Sequence, residues 1–180
     1  PITQGNRNPL LYKNIGVDGI KTGFLAVEKY SLAASLKSGD RRVTAVGSGF
    51  ETKNKRSRES AKILSWGLRK FDTIKVASKD TPFIDLNVWL GKEHKVAGIV
   101  SEDLFFTVPK RKKSSVKAYV EYNGPLKAPI IKGEKIGALT VYIDGEIKKE
   151  IDILSNENVK RANIFSRLFK SLNYLVWGDV

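Results

Sequence analysis

The hydrophobic rhythm of this chain changes twice. From Gly19 to Phe24, Tyr30 to Leu36 and Arg42 to Gly47, short apolar-rich runs predict three strands, with Ser38-Gly39-Asp40 as the turn between the last two. The period then lengthens. Ala61, Leu64, Leu68 and Phe71 recur at spacings of three and four, which predicts an amphipathic helix from Asn54 to Lys70. Beyond Asp72 the helical period vanishes, and short runs recur at 74–77, 83–90, 95–100, 104–108, 116–122, 136–143 and 146–153. That spacing predicts a small antiparallel sandwich or barrel. Val116, Ala118, Val120 and Tyr122 alternate with mostly polar neighbours, as one buried face requires. Asp144-Gly145 predicts a two-residue hairpin, because both central positions of a type I′ turn need positive φ. From Asn158 the helical period returns, with Phe165, Leu168, Phe169, Leu172, Leu175 and Val176 in one stripe and Lys160, Arg161, Arg167 and Lys170 elsewhere on the wheel.

Composition narrows the chemistry. The chain has 180 residues, 41% hydrophobic and 28% charged, as expected of a folded chain of one domain or one and a small second. It has no cysteine and a single histidine, His94, which excludes thiol nucleophiles, disulfide scaffolds, thiolate metal sites and multi-histidine metal sites. His94, in Gly91-Lys92-Glu93-His94-Lys95, reads as loop surface. There is no methionine and residue 1 is proline, so the chain reads as a fragment or processed product. A net charge of +13 favours anionic partners. In the last segment the cations oppose crossing a bilayer and suit lying on an anionic one, with Tyr174 and Trp177 at the headgroup level.

One motif carries chemistry. Lys21-Thr22-Gly23 ends the run Val17-Asp18-Gly19-Ile20 on a predicted strand, with further strands and then a long helix behind it. A compact cation, a hydroxyl donor and a glycine stand at three adjacent positions of that strand. The arrangement resembles the third signature of the serine penicillin-recognising enzymes. The longer match, Asn6-Arg7-Asn8-Pro9-Leu10-Leu11 through Gly23, resembles the low-molecular-mass penicillin-binding proteins, the D-alanyl-D-alanine carboxypeptidases. Lys62-Ile63-Leu64-Ser65-Trp66-Gly67 resembles the helix end that closes their catalytic domain, and the later regimes resemble their C-terminal β-domain and amphipathic membrane anchor.

The resemblance implies an α+β protein. Residues 1–72 would be the C-terminal remnant of a β-lactamase/transpeptidase-like α/β catalytic domain, 73–155 a small antiparallel all-β sandwich, and 156–180 an amphipathic anchor helix. It implies substrate recognition by Lys21, Thr22 and Gly23, an oxyanion-hole N–H from Phe24, and help from Arg7 and Arg56 near the carboxylate. Phe165, Leu168, Phe169, Leu172 and Trp177 would enter the membrane surface. The implied partners are peptidoglycan stem peptides ending in D-Ala-D-Ala, β-lactam antibiotics in the full-length enzyme, and an anionic membrane at the periplasmic face of the inner membrane. No metal or organic cofactor is needed. The family places a hydroxyl residue two after the glycine, where Leu25 stands here.

The nucleophile is not in these residues. The family's Ser-x-x-Lys and Ser-x-Asn elements precede Lys-Thr-Gly, and neither precedes Lys21. Ser114-Ser115-Val116-Lys117 and Ser171-Leu172-Asn173 match by letters but in the wrong order and setting. The chain is therefore expected not to acylate alone. Two alternatives stand beside this reading: a non-catalytic β-module that binds cell-wall polymer or a protein partner, and a basic nucleic-acid-binding β-protein. Nucleic acid is the less favoured partner, since Lys110-Arg111-Lys112-Lys113 reads as a solvated hairpin end. Gly47-Ser48-Gly49 reads as a strand-exit turn rather than a dinucleotide fingerprint.

Overall fold

The computed structural model describes residues 1–165 and 168. The chain divides into two compact units: Pro1–Thr73 with Thr107–Lys110, and Ile74–Phe106 with Arg111–Val180.

The first unit is a three-stranded antiparallel sheet in the order β1-β2-β3, made of Val17–Leu25, Lys29–Ser38 and Arg41–Phe50. One face is covered by helix α1, Lys53–Lys70. Alternation makes that face: Leu32, Ala34 and Leu36 of β2 are buried with Leu64 of α1 and Leu10, and Val43 and Ala45 of β3 pack beside them. The opposite face is polar at Ser35, Thr44 and Arg42, where Arg42 donates to both carboxylate oxygens of Asp18 at 2.7 Å and to Ser35 Oγ at 2.8 Å. Helix α1 begins where Thr52 Oγ1 accepts from the Lys55 N–H. Its last carbonyls, at Gly67 and Leu68, accept from the Arg41 guanidinium.

The second unit holds a six-stranded sheet in the order β8-β10-β11-β6-β5-β9. Its strands are β5 (Ile84–Trp89), β6 (Lys95–Ile99), β8 (Val116–Glu121), β9 (Leu126–Lys127), β10 (Lys135–Ile143) and β11 (Glu146–Ser155). Two further strands, β4 (Phe71–Ala77) and β7 (Leu104–Pro109), pair as a separate ribbon. Leu86, Val88, Val96, Leu139, Val141, Ile153 and Val159 form the core. The β10–β11 hairpin turns at Asp144-Gly145, whose φ values of 54° and 83° are those the turn requires.

Several expectations need correction. The β-region is not wholly antiparallel: β9 pairs parallel with β5, and at two residues it is too short to show in a hydrophobic pattern. Gly47-Ser48-Gly49 is not a strand exit. Strand β3 runs on to Phe50, and the register jumps from Leu32↔Gly47 to Tyr30↔Phe50, so Ser48 and Gly49 form a bulge, with Gly49 at φ 77°. Phe71 leaves the helix to start β4, its ring edge-on to Trp66. Lys110–Ser115 is a 3-10 turn, and Lys112 pairs with Asp144 at 2.5 Å. On β8, Val116 and Val120 pack on the core but Ala118 stays exposed.

The terminal helix does not start at Asn158. Val159 is buried and exchanges two backbone hydrogen bonds with Ile130, and the Ala162 N–H donates to the Leu90 carbonyl. Main-chain pairing and burial of Val159 tie this stretch to the second unit, and helical residues begin at Ile164. No described helix is long and apolar enough to cross a membrane.

Candidate functional site

Strand β1 is an edge: among the described residues it pairs with β2 on one side only. The segment before it is fixed by side chains. Asn8 is fully buried, accepts from the Leu10 N–H and donates from Nδ2 to the Gly19 carbonyl at 2.8 Å. Asn6 accepts from the Asn8 N–H and donates to the Ile20 carbonyl at 3.1 Å. Two asparagines thus strap residues 6–8, Arg7 among them, beside Gly19 and Ile20 of β1.

Beyond those straps lies an open groove of about 730 Å³ lined by Arg7, Lys21, Thr22, Gly23, Phe24, Tyr30, Lys53 and Arg56. Four cations line it and no carboxylate does. Lys21 is exposed, and its ammonium donates at 3.3 Å to the carbonyl of Thr22. Thr22 is half-buried. Gly23 faces Ser31 of β2, and a β-carbon there would lie 2.3 Å from Ser31 Oγ. Phe24 pairs with Tyr30 across the hairpin, their ring centroids 4.7 Å apart.

Arg56 is the unusual member. It sits in the first turns of α1, only 7% exposed, with its guanidinium carbon 5.6 Å from the Tyr30 ring centroid. Its Nε–H is buried and has no hydrogen-bond partner among the described residues. Neighbouring cations of the helix are neutralised, Lys55 by Glu51 and Arg58 by Glu59. Positive charge near a helix N-terminus is unfavourable by itself, because the macrodipole is positive there and the first amides already point outward. The groove therefore concentrates positive potential where an anion would be welcome.

All six residues expected to bind or react, Lys21, Thr22, Gly23, Phe24, Arg7 and Arg56, line this one groove. Tyr30 and Lys53 were not foreseen. A hairpin pairing Phe24 with Tyr30, and the three-residue step from Lys53 to Arg56 on one helix face, were the signals available. Leu25 is exposed at the β1–β2 turn and is not among the lining residues. His94 is exposed. Ser114 and Ser115 lie in the 3-10 turn before β8, while Ser171-Leu172-Asn173 lies outside the described residues. Of the anchor residues, Phe165 and Leu168 are exposed; Phe169, Leu172 and Trp177 lie outside the described residues. Among the described residues no cluster of three or more His, Asp or Glu could hold a metal ion.

Fold and groove together define a β-rich protein of two units with a cationic groove on the free edge of a small sheet. Residues 71–161 match the family described as "Penicillin-binding protein 5, C-terminal domain", and the chain belongs to that family. It is 35% identical over 170 residues to the D-alanyl-D-alanine carboxypeptidase DacC of Escherichia coli (strain K12), covering 93% of this chain and 42% of that protein. It is 36% identical over 180 residues to the D-alanyl-D-alanine carboxypeptidase DacA of Haemophilus influenzae, covering 98% of this chain and 46% of that protein. A crystal structure of penicillin binding protein 5 from Haemophilus influenzae superposes with a TM-score of 0.68 at 35% identity, covering 89% of this chain and 47% of that one. The chain spans less than half the length of these relatives.

Proposed function

We propose that this chain is the carboxylate-recognising and C-terminal part of a serine-type D-alanyl-D-alanine carboxypeptidase that removes the terminal D-alanine from peptidoglycan stem peptides. The observation that carries the reading is the convergence of Lys21, Thr22, Gly23, Arg7 and Arg56 on one acid-free groove along the free edge of β1. The stem peptide lies extended beside β1. Its free carboxylate meets the Lys21 ammonium and the Thr22 hydroxyl, with Arg7 and Arg56 behind them as further cations. Gly23 avoids a clash with Ser31 and leaves the strand without a side chain there, so that a peptide can lie close beside it, and the Phe24 N–H donates to the oxyanion as the tetrahedral intermediate forms.

The first unit is then the end of a catalytic domain whose nucleophile comes from elements not contained in these 180 residues. There a serine oxygen attacks the penultimate carbonyl, the amide C–N bond breaks, D-alanine leaves with a proton on its nitrogen, and water hydrolyses the ester. β-Lactams acylate the same serine. The C-terminal segment rests on the periplasmic face of an anionic membrane. Ile164, Phe165 and Leu168, apolar and 69%, 85% and 58% exposed, support that placement.

The test is acylation by a fluorescent penicillin. The longer protein should label, its Lys21→Ala variant should label at least about tenfold more slowly, and the 180-residue chain should not label. Covalent labelling of the 180-residue chain, or full rates in Lys21→Ala, overturns the reading. For the membrane placement, deleting 164–180 should abolish binding to vesicles rich in anionic lipid; a deletion from Val159 would also remove a buried strand partner.

A further inference from the structure

On β8 the packing of Val116 and Val120 against the core sends Lys117 and Tyr119 to the opposite face. Strand β10 sets Tyr142 opposite Lys117 and Thr140 opposite Tyr119, so both tyrosines share that outer face. Their centroids are 5.5 Å apart and their planes meet at 84°. Tyr119 is half exposed, and Ile147 of β11, paired with Tyr142, is exposed beside them. Two strand spacings, about 10 Å, separate β8 from β11. The two rings line a recess of about 590 Å³ together with Ser114, Ser115, Lys117 and Asp144.

The polar lining is pre-organised. Asp144 is fixed by the turn and accepts from the Lys112 ammonium at 2.5 Å, while Ser115 Oγ donates to the Lys112 carbonyl at 2.8 Å. Hydrogen bonds from Lys112 and then Ser115 hold the Asp144 carboxyl below the usual carboxylate range, so it is an ionised acceptor at neutral pH.

We infer that this recess binds sugar rings of the glycan strand that carries the stem peptides. A pyranose has an apolar face of C–H groups with partial positive charge, which suits the negative face of an aromatic ring, and a belt of hydroxyl and acetamido groups. Asp144 accepts from such hydroxyls; Lys117 and Ser114 donate. The concave mixture of aromatic rings and few polar groups is the usual make-up of a small-molecule site. The same tyrosines beside lysines would also suit single-stranded nucleic acid, so oligothymidylate is the competing probe in the test. The identity of the polymer rests on the peptidoglycan reading; the recess does not.

The test is a titration of the 180-residue chain with the hexamer of β-1,4-linked N-acetylglucosamine, followed by backbone amide NMR. Shifts should cluster on β8, β10 and the 144–145 turn. Tyr119→Ala should weaken binding about tenfold. Asp144→Asn, which keeps a residue suited to the turn, should weaken it several-fold. No shifts at millimolar saccharide, shifts away from this face, or stronger perturbation of it by oligothymidylate each overturn the inference. Penicillin labelling of the longer protein without saccharide binding sinks the recess alone. Saccharide binding without labelling sinks the enzyme reading and leaves a glycan-binding module.

Discussion

Arg56 should cost this protein stability, and the cost can be measured. Replacing it with methionine keeps a long flexible side chain in the same place and removes the charge. The buried Nε–H without a partner costs about 1–3 kcal/mol. A cation near the helix N-terminus adds about 0.3–1 kcal/mol. Against these stands the contact with Tyr30, worth about 0.5–2 kcal/mol, part of which a thioether on the same ring retains. The net expectation is a gain of about 1–2 kcal/mol for Arg56→Met. In a unit of this size each kcal/mol moves the thermal midpoint by about 4–8 °C. The assay is thermal unfolding of the 180-residue chain and its variant, with and without a diacylated Lys-D-Ala-D-Ala peptide. The peptide should raise the midpoint of the parent chain and act far less on the variant, whose affinity should fall by about 10–100-fold for one lost charged hydrogen bond. A variant with an unchanged or lower midpoint refutes the claim that this guanidinium is held at a cost. Equal stabilisation of both chains by the peptide refutes its role in binding.

Other outcomes follow from the same structure. Leu64→Ala removes a fully buried side chain between α1 and β2 and should destabilise the first unit by about 2–5 kcal/mol in urea unfolding. Asp18 is held below the ordinary carboxylate range, chiefly by the hydrogen bonds from Arg42, so its stabilisation is present above the unfolded carboxylate pKa and fades as pH falls through the lowered folded value. Asp18→Asn should therefore flatten the acid side of a plot of urea midpoint against pH, and an unchanged slope counts against the pair. Gly145→Val places a β-branched residue at φ 83° and should cost about 1–2 kcal/mol by denaturant unfolding, with the loss absent if the turn rearranges.

How much of this was legible in the sequence depends on the range of the interactions. Strands β1 to β3, helix α1 and most of the β-region follow from local periodicity, since each element buries one face and its pattern records which. Asp144-Gly145 was legible for a purely local reason, the positive φ of a type I′ turn. What could not be read was decided at a distance. β9 exists because two residues meet β5 in parallel, and Val159 is a strand partner because Ile130 supplies its hydrogen bonds, not because of anything in its neighbours.

The groove divides along the same line. Lys21, Thr22 and Gly23 announce themselves as a motif, because three chemistries at adjacent positions of one strand are visible in one dimension. Arg56 does not. In a sequence it is one more cation of a basic helix, like Lys55 and Arg58, which have carboxylate partners nearby in the chain. Only the packing of α1 on β2 buries it against Tyr30 and sets it in the same groove as Lys21. A guanidinium whose Nε–H is buried without a partner, with no counter-ion among the described residues and in a groove that no acid lines, favours an anion that supplies the negative charge. The missing counter-ion, more than the three-letter motif, is the physical reason to look for an anionic ligand here.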